Sequence, residues 1–131
     1  THTDAVKFLL DRYGLTDPAT GKAVGVFADE ALQKLYDQLV EKGNQSLANA
    51  LTVGATIEDL DIVDLQTRLA QTDNTDIQMV YQNLMKGSRN HLRAFTKSLT
   101  SQAGAAYTPQ YLSQAAFDEI VNAPVERGPA R

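Results

Sequence analysis

The run LANALTVGATIEDLDIVDLQTRLA, residues 47–70, decides the fold, because it reads as one long amphipathic helix whose apolar line contains two acids. Steps of four and three pick out Leu47, Leu51, Gly54, Glu58, Asp61, Leu65 and Leu69, so both carboxylates fall in the seam that such a helix turns toward its neighbours. An ionised carboxylate pressed into a core costs several kcal/mol unless a cation, a proton or hydrogen-bond donors answer it.

The same spacing places a histidine in each of two other helical stripes. One runs Ile77, Tyr81, Leu84, Ser88, His91, Phe95, and the other runs His2, Val6, Leu9, Tyr13. Imidazole and carboxylate converging from different helices is one way to hold a transition metal; neutral histidine with ionised carboxylate suits Fe, Mn, Zn or Cu, and spacing does not choose among them. Plainer readings stand beside this one. His91 is equally a core-edge histidine satisfied by a carbonyl or a serine hydroxyl, and Glu58 a partner for Arg89 or Arg93. Asp59 falls off the seam and Asp64 on its edge, so both read as surface groups. Tyr13 and Tyr81 read as aromatic core residues with the hydroxyl at a polar partner. Gly54 and Gly87 each precede a seam polar residue by about one turn. An interior helical glycine costs about 1 kcal/mol relative to alanine, so each marks either close packing or room for a ligand.

Breaker residues divide the chain into helical segments with no strand alternation, predicting an all-α domain over residues 1–131. The first helix is under way at Thr1 and ends near Tyr13, with Gly14 as its terminator; residues 15–27 form a loop. The second runs from about Asp29 to Lys42 with Leu32, Leu35, Tyr36, Leu39 and Val40 as its buried stripe, and Gly43 stops it. Ser46 caps the long helix that continues to about Ala70, and Asn74 or Thr75 caps another running to about Ser101. Ser113 caps a short C-terminal helix through Val121. The tail beyond about residue 122, and in particular Pro124 to Arg131, reads as mobile.

Composition excludes several classes. The 131 residues carry 12 basic against 16 acidic side chains, a net charge of −4, with no basic stripe for a phosphate backbone, so nucleic acid is not an expected partner. No apolar run reaches the roughly 18–20 residues that span a bilayer, and the chain reads as soluble with its compartment open. With no cysteine, disulfides, thiolate zinc, iron–sulfur clusters and cysteine nucleophiles drop out, leaving N and O ligands for any metal. No phosphate loop, dinucleotide fingerprint or calcium loop is present, and no nucleophile elbow accompanies the histidines.

Three segments carry a resemblance to a known family: THTDAVKFLLDRYG at 1–14, VGATIEDLDIVDL at 53–65 and GSRNHLRAF at 87–95, with YLSQ and FDEI between 111 and 120. They resemble a branch of the ferritin-like superfamily described as domain of unknown function 2202. That resemblance implies a ferritin-like helical bundle with a short C-terminal helix, lacking its first bundle helix in this chain. Such bundles hold metal pairs with glutamates from two helices and Glu-x-x-His motifs from the other two. Carried over, His2 is the histidine of the first motif, Glu58 the glutamate of the third bundle helix and His91 the histidine of the fourth. Ser88 stands where the second motif needs its glutamate, and Asp61 is the candidate for restoring the lost charge.

Two functions follow as expectations. The first is a metal-binding protein, with iron or manganese held by His2, Glu58, Asp61 and His91, acting on oxygen or peroxide or handling iron. The second is a non-catalytic helical interaction module with a relict metal site. In either case a bundle short of one helix leaves an apolar groove, covered by self-association or by helix 29–42 folding over it.

Overall fold

A computed structural model describes residues 1–128, and among these the chain forms five helices and no strand. They are α1 (His2–Arg12), α2 (Glu30–Gly43), α3 (Leu47–Leu69), α4 (Thr75–Ala103) and α5 (Gln114–Asn122). The long hairpin of α3 and α4 is the scaffold. The helix α1 packs on α4, α2 on α3 and α5 on α4. Thus α2 does lie against the hairpin, yet none of its residues is buried and Leu32 and Val40 remain exposed.

The helices start where side-chain acceptors satisfy orphan amides. The Asp29 carboxylate accepts from Leu32 N at 2.8 Å, Ser46 Oγ from Asn49 N at 3.0 Å and Ser113 Oγ from Ala116 N at 3.2 Å. Thr1 and Asp4 form a reciprocal capping box at α1. Gly104 ends α4 with φ +63°, a left-handed conformation that costs a residue with a Cβ and costs glycine little. The helix α4 thereby runs two residues past the expected end at Ser101.

The core is a single cluster of Ala55, Ile62, Leu92, Leu99, Tyr107, Leu112 and Phe117. It lies between the hairpin and the segment from Tyr107 to α5. Its line on α3 is Leu51, Ala55, Asp59 and Ile62, rotated away from the seam expected from spacing: Leu47 is 55% exposed and Asp61 is exposed. The reading of Asp59 as a surface group is therefore overturned. Asp59 is fully buried, and its Oδ2 accepts from the Tyr107 hydroxyl at 2.7 Å, from Gln110 N at 2.7 Å and from Tyr111 N at 3.2 Å; its Oδ1 accepts from Leu112 N at 2.7 Å. Asp64 is at the surface as expected, 3.4 Å from Arg68.

Where the sequence suggested a free tail after residue 122, residues 123–126 are tied back to α4. The Arg89 guanidinium donates to both Glu126 carboxylate oxygens at 2.5 and 2.8 Å, and Arg93 adds a bond at 3.1 Å. The Asn90 amide pairs with the Glu126 backbone N–H and carbonyl, both at 3.0 Å. Arg89 and Arg93, considered as partners for Glu58, are taken by Glu126. The remainder of the expected tail, residues 129–131, lies outside the described residues.

Replacing the Asp59 carboxylate by an amide puts an N–H₂ group opposite buried donors. Asp59→Asn should destabilise the fold by roughly 3 kcal/mol, measured as a lower denaturation midpoint with loss of protection of the 110–112 amides in hydrogen exchange.

Candidate metal centre

The four side chains singled out by spacing come from three helices, α1, α3 and α4, with Glu58 and Asp61 to one side of the buried Asp59 line on α3. Glu58 and His91 meet directly, with His91 Nδ1 3.2 Å from Glu58 Oε1. The Glu58 side chain is 14% exposed and the His91 side chain 57%. In the tautomer that carries its proton on Nδ1, the ring donates to Glu58 and leaves the Nε2 lone pair free. Ser88, buried on α4, donates its hydroxyl to Asp61 Oδ2 at 3.3 Å.

The position of His2 follows from a glycine. A Cβ on Gly87 would lie 2.6 Å from His2 Cε1, so the imidazole rests against the bare backbone of α4. On α3 the ring of Phe95 occupies the corresponding space at Gly54. Of the two readings for these glycines, close packing is the one realised at both, and at Gly87 the packed group is a candidate ligand. Tyr13 turns its hydroxyl to Asp76 at 2.9 Å, beside the Arg12–Asp76 ion pair at 3.0 Å, fastening the other end of α1 to α4.

Electrostatics couples the group. Burial pushes the Glu58 carboxyl above its ordinary value of 4.5, and the Asp61 charge pushes the same way; the Ser88 hydrogen bond and His91 oppose them. Asp61 is also raised, first by lost hydration and then by Asp64, against the Ser88 bond and the charges of His2 and His91. Ser88, His2 and His91 thus all act on Asp61, although among the described residues no three His, Asp or Glu side chains stand as a ready metal cage.

Sequence reasoning passed over Asp59. A second line on the same helix, Ala48, Leu51, Ala55 and Ile62, carries Asp59 within it and is more uniformly apolar than the line through Glu58 and Asp61. Preferring that line would have exposed Asp59 as the buried acid.

An α-helical domain built on a long hairpin, with carboxylates and imidazoles gathered on one side, is the class of protein the coordinates define. Residues 1–124 match the family model described as Uncharacterized protein domain (DUF2202), and the chain belongs to that family. It is similar to uncharacterized protein MJ0754 of Methanocaldococcus jannaschii, 53% identical over 128 residues that make up 98% of this chain and 69% of the relative. The crystal structure of hypothetical protein MJ0754 from Methanococcus jannaschii DSM 2661 matches with a TM-score of 0.92 at 52% identity, covering 95% of this chain and 71% of that one.

The raised Glu58 carboxyl has a stability consequence. The folded chain holds the Glu58 proton more tightly than the unfolded chain does, so ionisation penalises the fold as pH rises from the ordinary 4.5 through the raised folded value, and the penalty is complete above it. Glu58→Gln keeps the shape without the charge. In metal-free protein the melting temperature of this variant relative to the parent should therefore increase from pH 4 to pH 7; a difference that does not change with pH contradicts the assignment.

Proposed function

We propose that this chain is a ferritin-like metal-binding module whose hairpin binds iron or manganese through Glu58, Asp61 and His91, with His2 contributed by α1. What supports the reading most is the contact between Glu58 and His91: a half-buried carboxylate placed against an imidazole whose other nitrogen is open. The donor set fits in chemistry, being two carboxylates and two imidazoles without sulfur, which suits Fe or Mn. In geometry it is loosely arranged, since Glu58 and His91 bond to each other and Asp61 bonds to Ser88. Binding would exchange those contacts for the ion.

The ion would supply one-electron redox chemistry toward oxygen or peroxide, or the handling of iron itself. The chain's own part is positional. Glu58 orients His91, Ser88 steadies Asp61, and the Gly87 notch admits His2. A site of such few donors takes one ion more readily than two, and a second copy of the chain would complete its coordination. Self-association is part of this reading, supported by the exposed Phe8, Leu15, Val26, Leu32 and Val40 on and around α1 and α2. No helix among the described residues is long and apolar enough to cross a membrane.

Protein purified without a nickel column should carry stoichiometric iron or manganese, and adding Fe(II) or Mn(II) to chelator-treated protein should raise its melting temperature. The double variant Glu58→Gln, His91→Gln should lose both effects while remaining helical. Absence of metal together with unchanged melting overturns the proposal.

The second reading is a non-catalytic interaction module with a relict site. The lack of a three-donor cage among the described residues favours it. On this reading the same double variant keeps the self-association of the parent in light scattering, and neither protein responds to metal.

A further inference from the structure

A second concave region lies away from the proposed metal centre. It is a cleft of about 680 Å³ between α4, α5 and the extended residues 123–125, within the size range of small-molecule sites. We propose that this cleft binds a small molecule with an aliphatic body and one carboxylate, anchored by Lys97.

Its walls present carbon although several lining residues are nominally polar. Tyr107 and Phe117 are buried with ring centroids 5.7 Å apart, and the Tyr107 hydroxyl points away to Asp59. The Thr96 hydroxyl donates to the carbonyls of Leu92 and Arg93 at 2.8 and 3.0 Å, and that of Thr100 to the carbonyls of Thr96 and Ala105 at 3.2 Å. Hydroxyls committed to backbone carbonyls leave methyl groups to face a ligand. Val121 and the strap residues Pro124 and Val125 complete the apolar lining, and Val125 is 62% exposed, surface that an alkyl chain would cover.

Charge selects the head group. In a chain with 16 acidic and 12 basic residues, this lining holds two cations and no carboxylate. Arg93 is committed to the Ile120 carbonyl at 2.7 Å, to Asn90 and to Glu126. Lys97, exposed on α4 at the edge of the cleft, makes no hydrogen bond or ion pair among the described residues, so its ammonium is the cation left to receive an anion. A single uncommitted ammonium beside an apolar wall matches a singly charged head on an apolar body. The strap that forms the outer wall is fixed through Glu126 to Arg89, Asn90 and Arg93, which keeps the cleft formed without a ligand.

Isothermal titration of the full chain with decanoate and with decan-1-ol, both below their aggregation limits, tests the proposal. Decanoate should bind saturably and more tightly than the alcohol. Lys97→Met should weaken decanoate by about tenfold, the scale of one solvent-accessible charge-assisted contact, and leave the alcohol unchanged. Lys34→Met, at an exposed position on α2, should alter neither. No saturable binding, equal affinity for acid and alcohol, or equal effects of the two lysine variants would each overturn it.

Discussion

The contact on which the rest of the molecule depends is the carboxylate of Asp59 meeting four donors from residues 107–112. A bare charge at full burial would be prohibitively costly, yet here both oxygens are answered, three of the donors being backbone amides, of which that of Leu112 is buried. The chain leaving α4 at Gly104 is thereby held across α3, and that closure delivers Leu112 and Phe117 to the core. Burial together with the Asp59 carboxylate raises the ionisation of Tyr107 well above the ordinary tyrosine range, so the hydroxyl stays a donor.

With one stripe of α3 consumed by this closure, Glu58 and Asp61 lie beside it rather than within it. Neighbouring acids in one helix consequently have opposite circumstances. Asp59 has its lone pairs filled by donors supplied from within the chain. Glu58 and Asp61 are short of donors and lean on Ser88 and His91, and both are harder to ionise than free carboxylates. Carboxylates kept under-satisfied at a cost to the fold are the usual raw material of a binding site. The proposed metal role gives that cost a use, and the docking of α1 through the Gly87 notch brings His2 toward the same place.

The hairpin thus serves two separable regions. Toward α1 it offers the half-buried Glu58 with Asp61 and the imidazoles, and toward α5 a carbon-walled cleft beside Lys97, which has no ion pair among the described residues. The strap held by Glu126 belongs to the second region alone. Because Arg89 and Arg93 are occupied there, no cation from α4 reaches Glu58, which leaves the acid to the histidine.

Helix number, helix limits and the all-α class were legible in the chain itself, since caps such as Asp29, Ser46 and Ser113 act within one turn and need no distant partner. The pairing of Glu58 with His91 was also within reach, because helical spacing sets which side chains share a stripe. What only the tertiary structure decided is which stripe of α3 is buried. Two overlapping apolar lines share Leu51 on the same helix, one continuing through Ala55 and Ile62 and the other through Gly54 and Leu65, and each is compatible with helical periodicity. The loop from Tyr107 to Leu112 settles the choice by bringing its amides to Asp59, a meeting across about fifty residues of sequence that no local pattern encodes. The Glu126 anchor was hidden for the same reason: a polar, proline-containing terminus reads as free until the guanidinium groups of another helix are seen to hold it.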